Sequence, residues 1–221
     1  MGMRVLVTGG TGFTGSHLTR RLLRKGHSVV VVDNQRGRFF DELKGMGAEI
    51  LIGSVADQTL VDEAVKGCEV VHHVAVMFRK VSLPSQVYWN VNVDGTRYLL
   101  ESSLKYGVNK FVNCSTCGVH GHVKQEPAHE DSPIAPADYY QYTKYQGEKV
   151  VQEFLGKGLK IVTLRPTAIY GPGDPERFAM LFRMASRGKF LMFGDGRVHY
   201  HPVYIDNLVD AFELAAESEK G

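Results

Sequence analysis

The sequence predicts an α/β protein with a doubly wound, Rossmann-like parallel sheet. Short runs rich in β-branched residues alternate with longer amphipathic stretches, a rhythm typical of parallel strands joined by crossover helices. The runs are apolar at consecutive positions, as in the four valines at 29–32, so we expect helices to cover both faces of the sheet. A glycine-rich turn at 9–15 links the first run to the first amphipathic stretch.

The individual elements follow from these patterns in chain order. We expect strands at residues 4–8, 28–33, 49–53, 70–74, 110–113 and 160–164. Helices are expected near residues 12–25, 39–44, 58–65, 85–106 and 139–155. Gly26 and Gly107 end two of these helices, and Asp57 precedes another as its N-cap.

The composition of the chain changes after Arg165. Pro166, Gly171, Pro172 and Gly173 interrupt any regular pattern there. Only about 55 residues remain, which is short for an independent domain. We therefore expect residues 1–165 to form the main domain and residues 166–221 to begin a second, irregular region.

Charge and composition exclude several classes of protein. The 221 residues include 26 Lys and Arg against 24 Asp and Glu, and a net charge of +2 is too small to make nucleic acid or an acidic membrane the expected partner. No apolar run approaches the roughly 20 residues of a membrane span, and no signal peptide is visible at the N-terminus. Three cysteines form no even disulfide framework, so we expect a reducing, cytoplasmic location.

The glycine-rich turn predicts a dinucleotide site. Gly9, Gly12 and Gly15 have the spacing Gly-x-x-Gly-x-x-Gly, which allows a tight turn and lets the backbone approach a pyrophosphate at the N-terminus of the next helix. Asp33 ends the second strand about 18 residues further on, near the spacing of a carboxylate that binds an adenosine ribose.

The same carboxylate bears on the choice of cofactor. Asp33 would repel a 2′-phosphate, so we expect NAD rather than NADP. Arg36 and Arg38 follow closely in the sequence and would suit a 2′-phosphate, unless they simply face solvent.

A tyrosine and a lysine form the candidate catalytic pair. Tyr140 and Lys144 are four residues apart, hence on one face of the predicted helix. Ionising a phenol at pH 7 costs about 4 kcal/mol, and a neighbouring ammonium group reduces that cost, so Tyr140 is a candidate general acid/base. Tyr139 and Tyr142 have no lysine four residues further on. The alternative is an ordinary exposed pair at this spacing.

A hydroxyl partner is expected where the strand at 110–113 ends. Ser115 and Thr116 follow this strand, and the carboxyl edge of a parallel sheet faces the ligand crevice. No metal site is expected, because Cys114 and Cys117 have no second pair and the ligand-forming side chains elsewhere form no cluster. Alternation along the strand sends His72 and His73 to opposite faces of the sheet.

Taken together, these motifs resemble the extended branch of the short-chain dehydrogenase/reductase superfamily, the NAD-dependent epimerase/dehydratase family with its 3β-hydroxysteroid dehydrogenase-like members. The resemblance runs along essentially the whole chain. It is carried by residues 8–15 (TGGTGFTG), 70–75 (VVHHVA), 92–96 (NVDGT), 115–116 (ST) with 119–121 (VHG), Tyr140-x-x-x-Lys144, 164–166 (LRP) with 170–173 (YGPG), and 204–208 (YIDNL).

The resemblance implies roles for individual residues. It makes Thr116 the catalytic hydroxyl, Tyr140 the acid/base, and Lys144 the group that binds the nicotinamide ribose. It also implies that residues 53–57 lie beside the adenine, where Ser54 replaces the usual acid and Val55 acts through backbone and packing. The implied cofactor contacts are Gly9, Gly12, Phe13, Thr14, Gly15, Asp33, Ser54, Val55, Val74, Ala75, Tyr140, Lys144 and Pro166.

The resemblance also implies a domain organisation. Residues 1–165 would be the NAD-binding Rossmann domain, and residues 166–221 the beginning of a substrate-binding region that partly returns to the Rossmann core. Family members usually continue well beyond Asp206, so a short, truncated substrate-binding region is expected. A homodimer through the helices at 85–106 and 139–155 is implied by the family alone.

Departures from the family pattern narrow the subtype. Sugar 4,6-dehydratases have an Asp-Glu pair after the catalytic threonine, whereas Thr116 is followed by Cys117 and Gly118, which argues against that subtype. His120 stands where epimerases usually have tyrosine, and residues 67–71 are closer to steroid- and flavonol-type members. Residues 164–174 and 206–208 fit sugar-nucleotide members equally well.

The expected function is therefore that of an NAD-dependent oxidoreductase acting on a carbinol or ketone carbon of a small molecule. A nucleotide-sugar epimerase is the main interpretation. A 3β-hydroxysteroid dehydrogenase or dihydroflavonol reductase-like enzyme, with a hydroxysteroid-like substrate, is the alternative. A catalytically silent NAD-binding regulatory protein is a third interpretation, from a different class.

Overall fold

The computed structural model describes residues 2–78, 83–124, 126–174, 177–189, 195–197 and 199–219. The strands of its main sheet are β1 (Arg4–Thr8), β2 (Ser28–Asp33), β3 (Glu49–Ile52), β4 (Val70–His73), β5 (Lys110–Cys114) and β6 (Lys160–Leu164). All neighbouring pairs are parallel, in the order β3-β2-β1-β4-β5-β6. The direction of winding reverses between β1 and β4, so a crevice opens at the carboxyl ends of these two strands.

Helices connect the strands. They are α1 (Phe13–Arg24), α2 (Phe40–Gly45), α3 (Gln58–Val65), α4 (Ser85–Trp89), α5 (Gly95–Lys105), α6 (Tyr139–Phe154), α7 (Arg177–Ser186) and α8 (Ile205–Glu217). Two short strands, β7 (Ala168–Tyr170) and β8 (Pro202–Tyr204), pair in parallel outside the main sheet.

Each face of the main sheet carries its own apolar core. On one face, called the α5 face below, α3, α5 and α6 pack on side chains such as Leu6 and Phe111. On the other, called the α8 face, α1, α2 and α8 pack on side chains such as Val5 and Val112. Adjacent strand residues point to opposite faces, which accounts for the unbroken apolar runs. The predicted α/β fold with a doubly wound sheet is confirmed.

The predicted elements match the structure with one exception. All six strands are present, with ends that differ from the prediction by at most one residue. The prediction of one helix over residues 85–106 is wrong, because a π turn at Asn90–Asp94 separates α4 from α5. The backbone widens where the buried amide of Asn92 bonds the backbone of Met77, a tertiary interaction that apolar spacing does not encode.

The chain after β6 combines an outlying part with a return to the core. β7, β8 and α7 lie outside the main sheet, where the rings of Tyr170 and Tyr204 are 5.3 Å apart. α8 packs on the α8 face with Ile205 and Phe212 fully buried. We did not predict α8 from the sequence, and this helix completes the core of the residues that precede it.

Candidate active site at the carboxyl edge of the sheet

The predicted cofactor residues follow the carboxyl ends of adjacent strands. Ser54 follows β3, Asp33 ends β2, Gly9 follows β1, Val74 follows β4, and Pro166 lies beyond β6. Neighbouring strands are about 4.8 Å apart, so the ends of β3 and β5 are separated by about 19 Å. The residues therefore form a line along one edge of the sheet, with the crevice near its centre.

The glycine turn is tightly packed. Gly9 has φ +68°, and a Cβ there would lie 2.9 Å from the Cα of Ala75. A Cβ on Gly15 would run into the carbonyl oxygen of Gly9. Larger residues would push this turn away from the sheet, which explains why three glycines are needed.

The first turn of α1 leaves donors available for an anion. Gly12 is the N-cap, no side chain caps the helix, and its first turn, which contains Phe13, Thr14 and Gly15, has no acidic residue. A helix N-terminus carries unpaired N–H groups and a partial positive charge. The glycine turn thus has the backbone and the electrostatics of a phosphate site.

The carboxylate of Asp33 is held in place by the glycine turn. Its Oδ2 accepts hydrogen bonds from the backbone N–H of Thr11 at 3.0 Å and from the Thr11 hydroxyl at 2.7 Å. Nothing in the described chain bonds its second oxygen. Arg36 and Arg38 lie over the rings of Phe40 and Phe39, at 5.0 and 5.5 Å from the ring centres.

The other residues of the adenosine side are used locally. Ser54 Oγ accepts from the N–H of Ala56 at 3.1 Å, which closes the turn after β3. Val55 is buried in the core of the α5 face. The N–H groups of Val74 and Ala75 both donate to the hydroxyl of Thr8, at 3.1 and 3.0 Å.

Lys144 is a buried cation on α6. The residue is only 4% exposed, and desolvation lowers the pKa of its ammonium group, whereas nearby Cys114 and Glu148 raise it. Within the described part of the chain, no hydrogen bond or ion pair satisfies this group. A buried ammonium group is costly unless oxygen atoms surround it, so the position is suited to bind the hydroxyls of a ligand.

Tyr140 lies one turn before Lys144. Asp138 caps α6 by accepting from the N–H of Gln141 at 2.8 Å. The Tyr140 ring is half-buried and meets the ring of Phe78 edge to face, with centres 4.9 Å apart. Tyr139 and Tyr142 are 42% and 41% exposed, so both are more exposed than the half-buried Tyr140.

Thr116 begins the short helical turn Cys117–His120. Its hydroxyl accepts from the N–H of Gly118 at 3.1 Å, and the N–H of Cys117 donates to the carbonyl of Pro166 at 3.0 Å. A Cβ on Gly118 would lie 3.1 Å from the side chain of Gln141, so this turn packs directly against the start of α6. The structure thereby brings the loop of Thr116 next to the first turn of α6, which contains Tyr140.

Ser115 differs from its neighbour. Its hydroxyl is buried and has no hydrogen-bond partner in the described chain, whereas Thr116 is partly exposed. Thr116 is therefore more accessible from outside than Ser115, and its role as the catalytic hydroxyl stays a prediction.

Sequence reasoning missed a buried ion pair behind the site. Arg165 donates to both oxygens of Glu148, at 3.0 and 2.7 Å, and also to His120 Nε2 at 3.1 Å. The pair raises the pKa of the Arg165 guanidinium group. Glu148 is one helical turn after Lys144, so the pair ties the end of β6 to α6, the helix of the candidate pair Tyr140 and Lys144. The only signal in the sequence was the repeat of charged residues every four positions.

Metal and membrane features can be assessed only for the described residues. They contain no group of three histidine, cysteine or carboxylate side chains arranged to hold a metal ion. All three cysteines are free thiols. None of the described helices is both long and apolar enough to cross a membrane.

Comparison with known proteins identifies the family. The model of the NAD dependent epimerase/dehydratase family matches residues 5–221. The crystal structure of UDP-glucose 4-epimerase from Thermotoga maritima, solved with UDP-glucose, is 34% identical, with a TM-score of 0.86 over 97% of this chain and 74% of that one. A dehydratase called TunA, described as an NAD-dependent NDP-hexosamine 5,6-dehydratase, is 30% identical with a TM-score of 0.83, over 99% and 73%.

Curated relatives include both sugar and sterol enzymes. The N-acetyl-α-D-glucosaminyl-diphospho-ditrans,octacis-undecaprenol 4-epimerase of Escherichia coli O157:H7 is 30% identical, over 95% of this chain and 62% of the relative. The decarboxylating sterol-4-α-carboxylate 3-dehydrogenase of Mus musculus is 32% identical, over 96% and 58%. The chain thus spans about three-fifths of the length of these two relatives. Its fold, its motifs and the matching family model together show that the chain belongs to the NAD-dependent epimerase/dehydratase family.

Proposed function

We propose that this protein is an NAD-dependent oxidoreductase that acts on a carbinol or ketone carbon of a nucleotide-sugar, as an epimerase does. The observation that carries the proposal is the position of Lys144, a residue only 4% exposed that lies one turn after Tyr140, at the edge of the sheet that also holds the glycine turn. Among the described residues, its ammonium group has no hydrogen bond or ion pair. Burying an ammonium group without a partner is energetically costly. Ribose hydroxyls are suited to be that partner.

The residues present fit NAD. Gly9, Gly12 and the first turn of α1 would hold the pyrophosphate, and Asp33 would accept from the adenosine ribose. Thr11 already binds one oxygen of Asp33, which leaves the other for a ribose hydroxyl. A 2′-phosphate would meet this carboxylate, and the nearby arginines are engaged with aromatic rings, so NAD is favoured over NADP.

Each catalytic residue would have a defined task. The Tyr140 oxygen takes the proton of the carbinol hydroxyl, and the Thr116 hydroxyl donates a hydrogen bond to the same oxygen as it becomes a carbonyl. Lys144 holds the cofactor ribose and favours the ionised phenol by its charge. NAD, when bound, supplies the hydride acceptor that this oxidation needs. In an epimerase the hydride later returns to the other face of the keto-sugar.

Sterol-type dehydrogenation is the second candidate. The mouse sterol dehydrogenase, at 32% identity, is as similar to this chain as the sugar enzymes are. His120 replaces the tyrosine that epimerases usually have, and it is buried against Arg165. In that case the reduced cofactor would leave after each turnover.

We also propose a homodimer and a cytoplasmic location. Tyr139 and Tyr142 present exposed rings on α6, beside α4, where a second copy would bury them. The three free thiols favour a reducing compartment. Residues 1–165 would act as the cofactor domain and residues 166–221 as the beginning of the substrate region.

Tyr140→Phe tests the mechanism, with Tyr139→Phe as the matched control. We expect the first variant to lose about a hundredfold or more in turnover while its Kd for NAD changes by less than about threefold, and the second to keep both. Incubation with UDP-glucose should give the C4 epimer, monitored by NMR. No net NADH should form during this reaction. Net NADH with a hydroxysteroid would instead favour the sterol candidate.

Two results would overturn the proposal. Turnover unchanged in Tyr140→Phe would remove the acid/base role of this residue. Tight NAD binding without turnover of either substrate class in the wild-type protein would favour the regulatory interpretation, and the absence of NAD binding would reject the cofactor itself.

A further inference from the structure

A connected set of polar side chains lies inside the α5 face, behind the candidate site. Its five members are no more than 1% exposed: Thr8, Asn92, Thr96, His73 and Thr143. Buried polar groups are tolerated when every donor and acceptor is paired. Every side-chain donor and acceptor in this set has a hydrogen-bond partner. The donor and the acceptor of each bond can therefore be assigned in only one way.

Donor counting fixes the protonation of His73. The hydroxyl proton of Thr96 goes to the carbonyl of Asn92, 2.9 Å away, so Thr96 Oγ1 must accept from His73 Nε2, 3.0 Å away. The hydroxyl of Thr8 accepts from two backbone N–H groups and so donates to His73 Nδ1 at 2.9 Å. The ring is therefore neutral, with its proton on Nε2. Burial lowers the pKa of His73 to about 3, in agreement with this assignment.

The amide of Asn92 continues the chain toward α6. Its Oδ1 accepts from the N–H of Met77 at 2.9 Å, and its Nδ2 donates to the Met77 carbonyl at 3.2 Å and to Thr143 Oγ1 at 3.0 Å. The Thr143 hydroxyl donates in turn to the carbonyl oxygen of Tyr140 at 2.9 Å. The π turn at residues 90–94 holds Asn92 in this position.

The chain joins three segments of the candidate site. Thr8 immediately precedes the glycine turn, residues 74–77 follow β4, and Tyr140 begins α6. Gly9 of the glycine turn and Ala75 of the segment after β4 are in contact. A shift of residues 74–77 would therefore displace the glycine turn. The hydrogen-bond chain extends that mechanical link to the backbone of Tyr140.

We propose that His73 is a positioning residue for catalysis. Through its single tautomer it keeps Thr8, residues 74–77 and Asn92 in one arrangement, and thereby sets where Tyr140 lies relative to the bound cofactor. The inference rests on the proposed function, because it concerns the same acid/base. His73 touches neither substrate nor cofactor and acts through the residues it bonds.

The neighbouring histidine provides a matched control. His72 is equally buried, burial lowers its pKa to about 3 as well, and its ring packs edge to face on Phe212 on the α8 face. Its Nδ1 has no hydrogen-bond partner in the described chain. The same substitution at His72 therefore makes the same change of side chain on the same strand without touching the hydrogen-bond chain.

The first measurement is the ring ¹⁵N NMR spectrum of the wild-type protein without cofactor. The proposal expects His73 to be protonated at Nε2 alone at neutral pH. Protonation at Nδ1, or a mixture of tautomers, would overturn it, whether or not the protein binds NAD.

The second measurement compares His73→Leu with His72→Leu. We expect His73→Leu to weaken NAD binding about tenfold and to lower kcat more than it raises KM. Hydrogen exchange at the Met77 amide should also become faster. In His72→Leu, each of these quantities should stay within about twofold of its wild-type value. Equal effects of the two variants would overturn the proposal.

His73→Asn keeps the comparison decisive if His73→Leu does not fold. Its amide oxygen can take the place of Nδ1 and accept from Thr8, so it should recover most of the NAD affinity. If the His73→Asn variant folds but still binds NAD about tenfold more weakly than the wild-type protein, the inference is contradicted. The failure of wild-type protein to bind NAD would reject the proposed function but leave the tautomer result standing.

Discussion

Among the described residues, the α5 face holds a connected hydrogen-bond chain of buried side chains that has no counterpart on the α8 face, although Asn113 Oδ1, beside His73 on the α5 face, is also unpaired. Two adjacent histidines of β4 illustrate this, because His73 is bonded at both nitrogens on the α5 face while His72 Nδ1 remains unpaired on the α8 face. Thr143 and Thr19 repeat the contrast, since the hydroxyl of Thr143 makes two hydrogen bonds and that of Thr19 none in the described chain.

The comparison shows which part of the core has side-chain positions defined by hydrogen bonds. A fully paired polar network specifies one arrangement, whereas apolar packing tolerates small shifts. The α5 face holds α6, the helix of the candidate catalytic pair, together with the pair Arg165–Glu148, and the α8 face holds mainly apolar contacts. The precise part of the core is the part that lies behind the candidate site.

The largest expected effect comes from breaking the buried ion pair of the α5 face. Arg165→Met leaves the carboxylate of Glu148 buried without its partner and should cost about 3 kcal/mol of unfolding free energy, measured by urea denaturation. Arg97→Met removes a partner from a similar pair with Glu153 on the exposed side of α6 and should change stability very little. Equal losses in the two variants would contradict the distinction between the inside and the outside of this helix.

The next largest effect is that acid should destabilise the fold through both histidines of β4. Both have pKa values of about 3 in the fold and about 6.5 when unfolded, so the unfolded chain binds more protons below pH 6.5 and stability falls as the pH decreases. Each should cost about 2 kcal/mol between about pH 7.5 and pH 5, a range above the titration of most carboxylates. His72→Leu should show about half of this pH-dependent loss. Denaturation curves at the two pH values measure it, and an unchanged pH dependence would show that His72 is not the source.

The smallest expected effect is a difference between two threonines. Thr143→Val removes one donor and one acceptor from the chain to Tyr140 and should cost about 1 kcal/mol of stability. Thr19→Val removes a buried hydroxyl without a partner and should be neutral or slightly stabilising. Thermal unfolding of the two variants makes the comparison. A more stable Thr143→Val would mean that its hydrogen bonds contribute nothing.

Local patterns were enough to predict the strands and the glycine turn. The strands are buried on both faces, so they read as apolar runs. Gly12 and Gly15 are required by close contacts with the nearby Gly9 carbonyl, and Gly9 has the positive φ that glycine favours. Alternation along β4 also predicted correctly that His72 and His73 point to opposite faces.

Features that depend on distant residues could not be predicted in the same way. Thr8 and His73 are 65 positions apart, and Asn92 and Thr143 are 51 apart, so the hydrogen-bond chain exists only once the strands are in register. The π turn, the support of Asp33 by Thr11, and the pair Arg165–Glu148 are of the same kind. The catalytic assignments of Thr116, Tyr140 and Lys144 remain predictions, although their loops and helix lie together.

The late position of α8 in the chain has a consequence for synthesis on the ribosome. Ile205 and Phe212 cover side chains of strands that precede α8 in the chain, so part of the α8 face stays open to water until these residues leave the exit tunnel. Nascent chains would then expose an apolar sheet surface, the kind that chaperones bind. The ability to bind a nucleotide should accordingly arise only after α8 has docked.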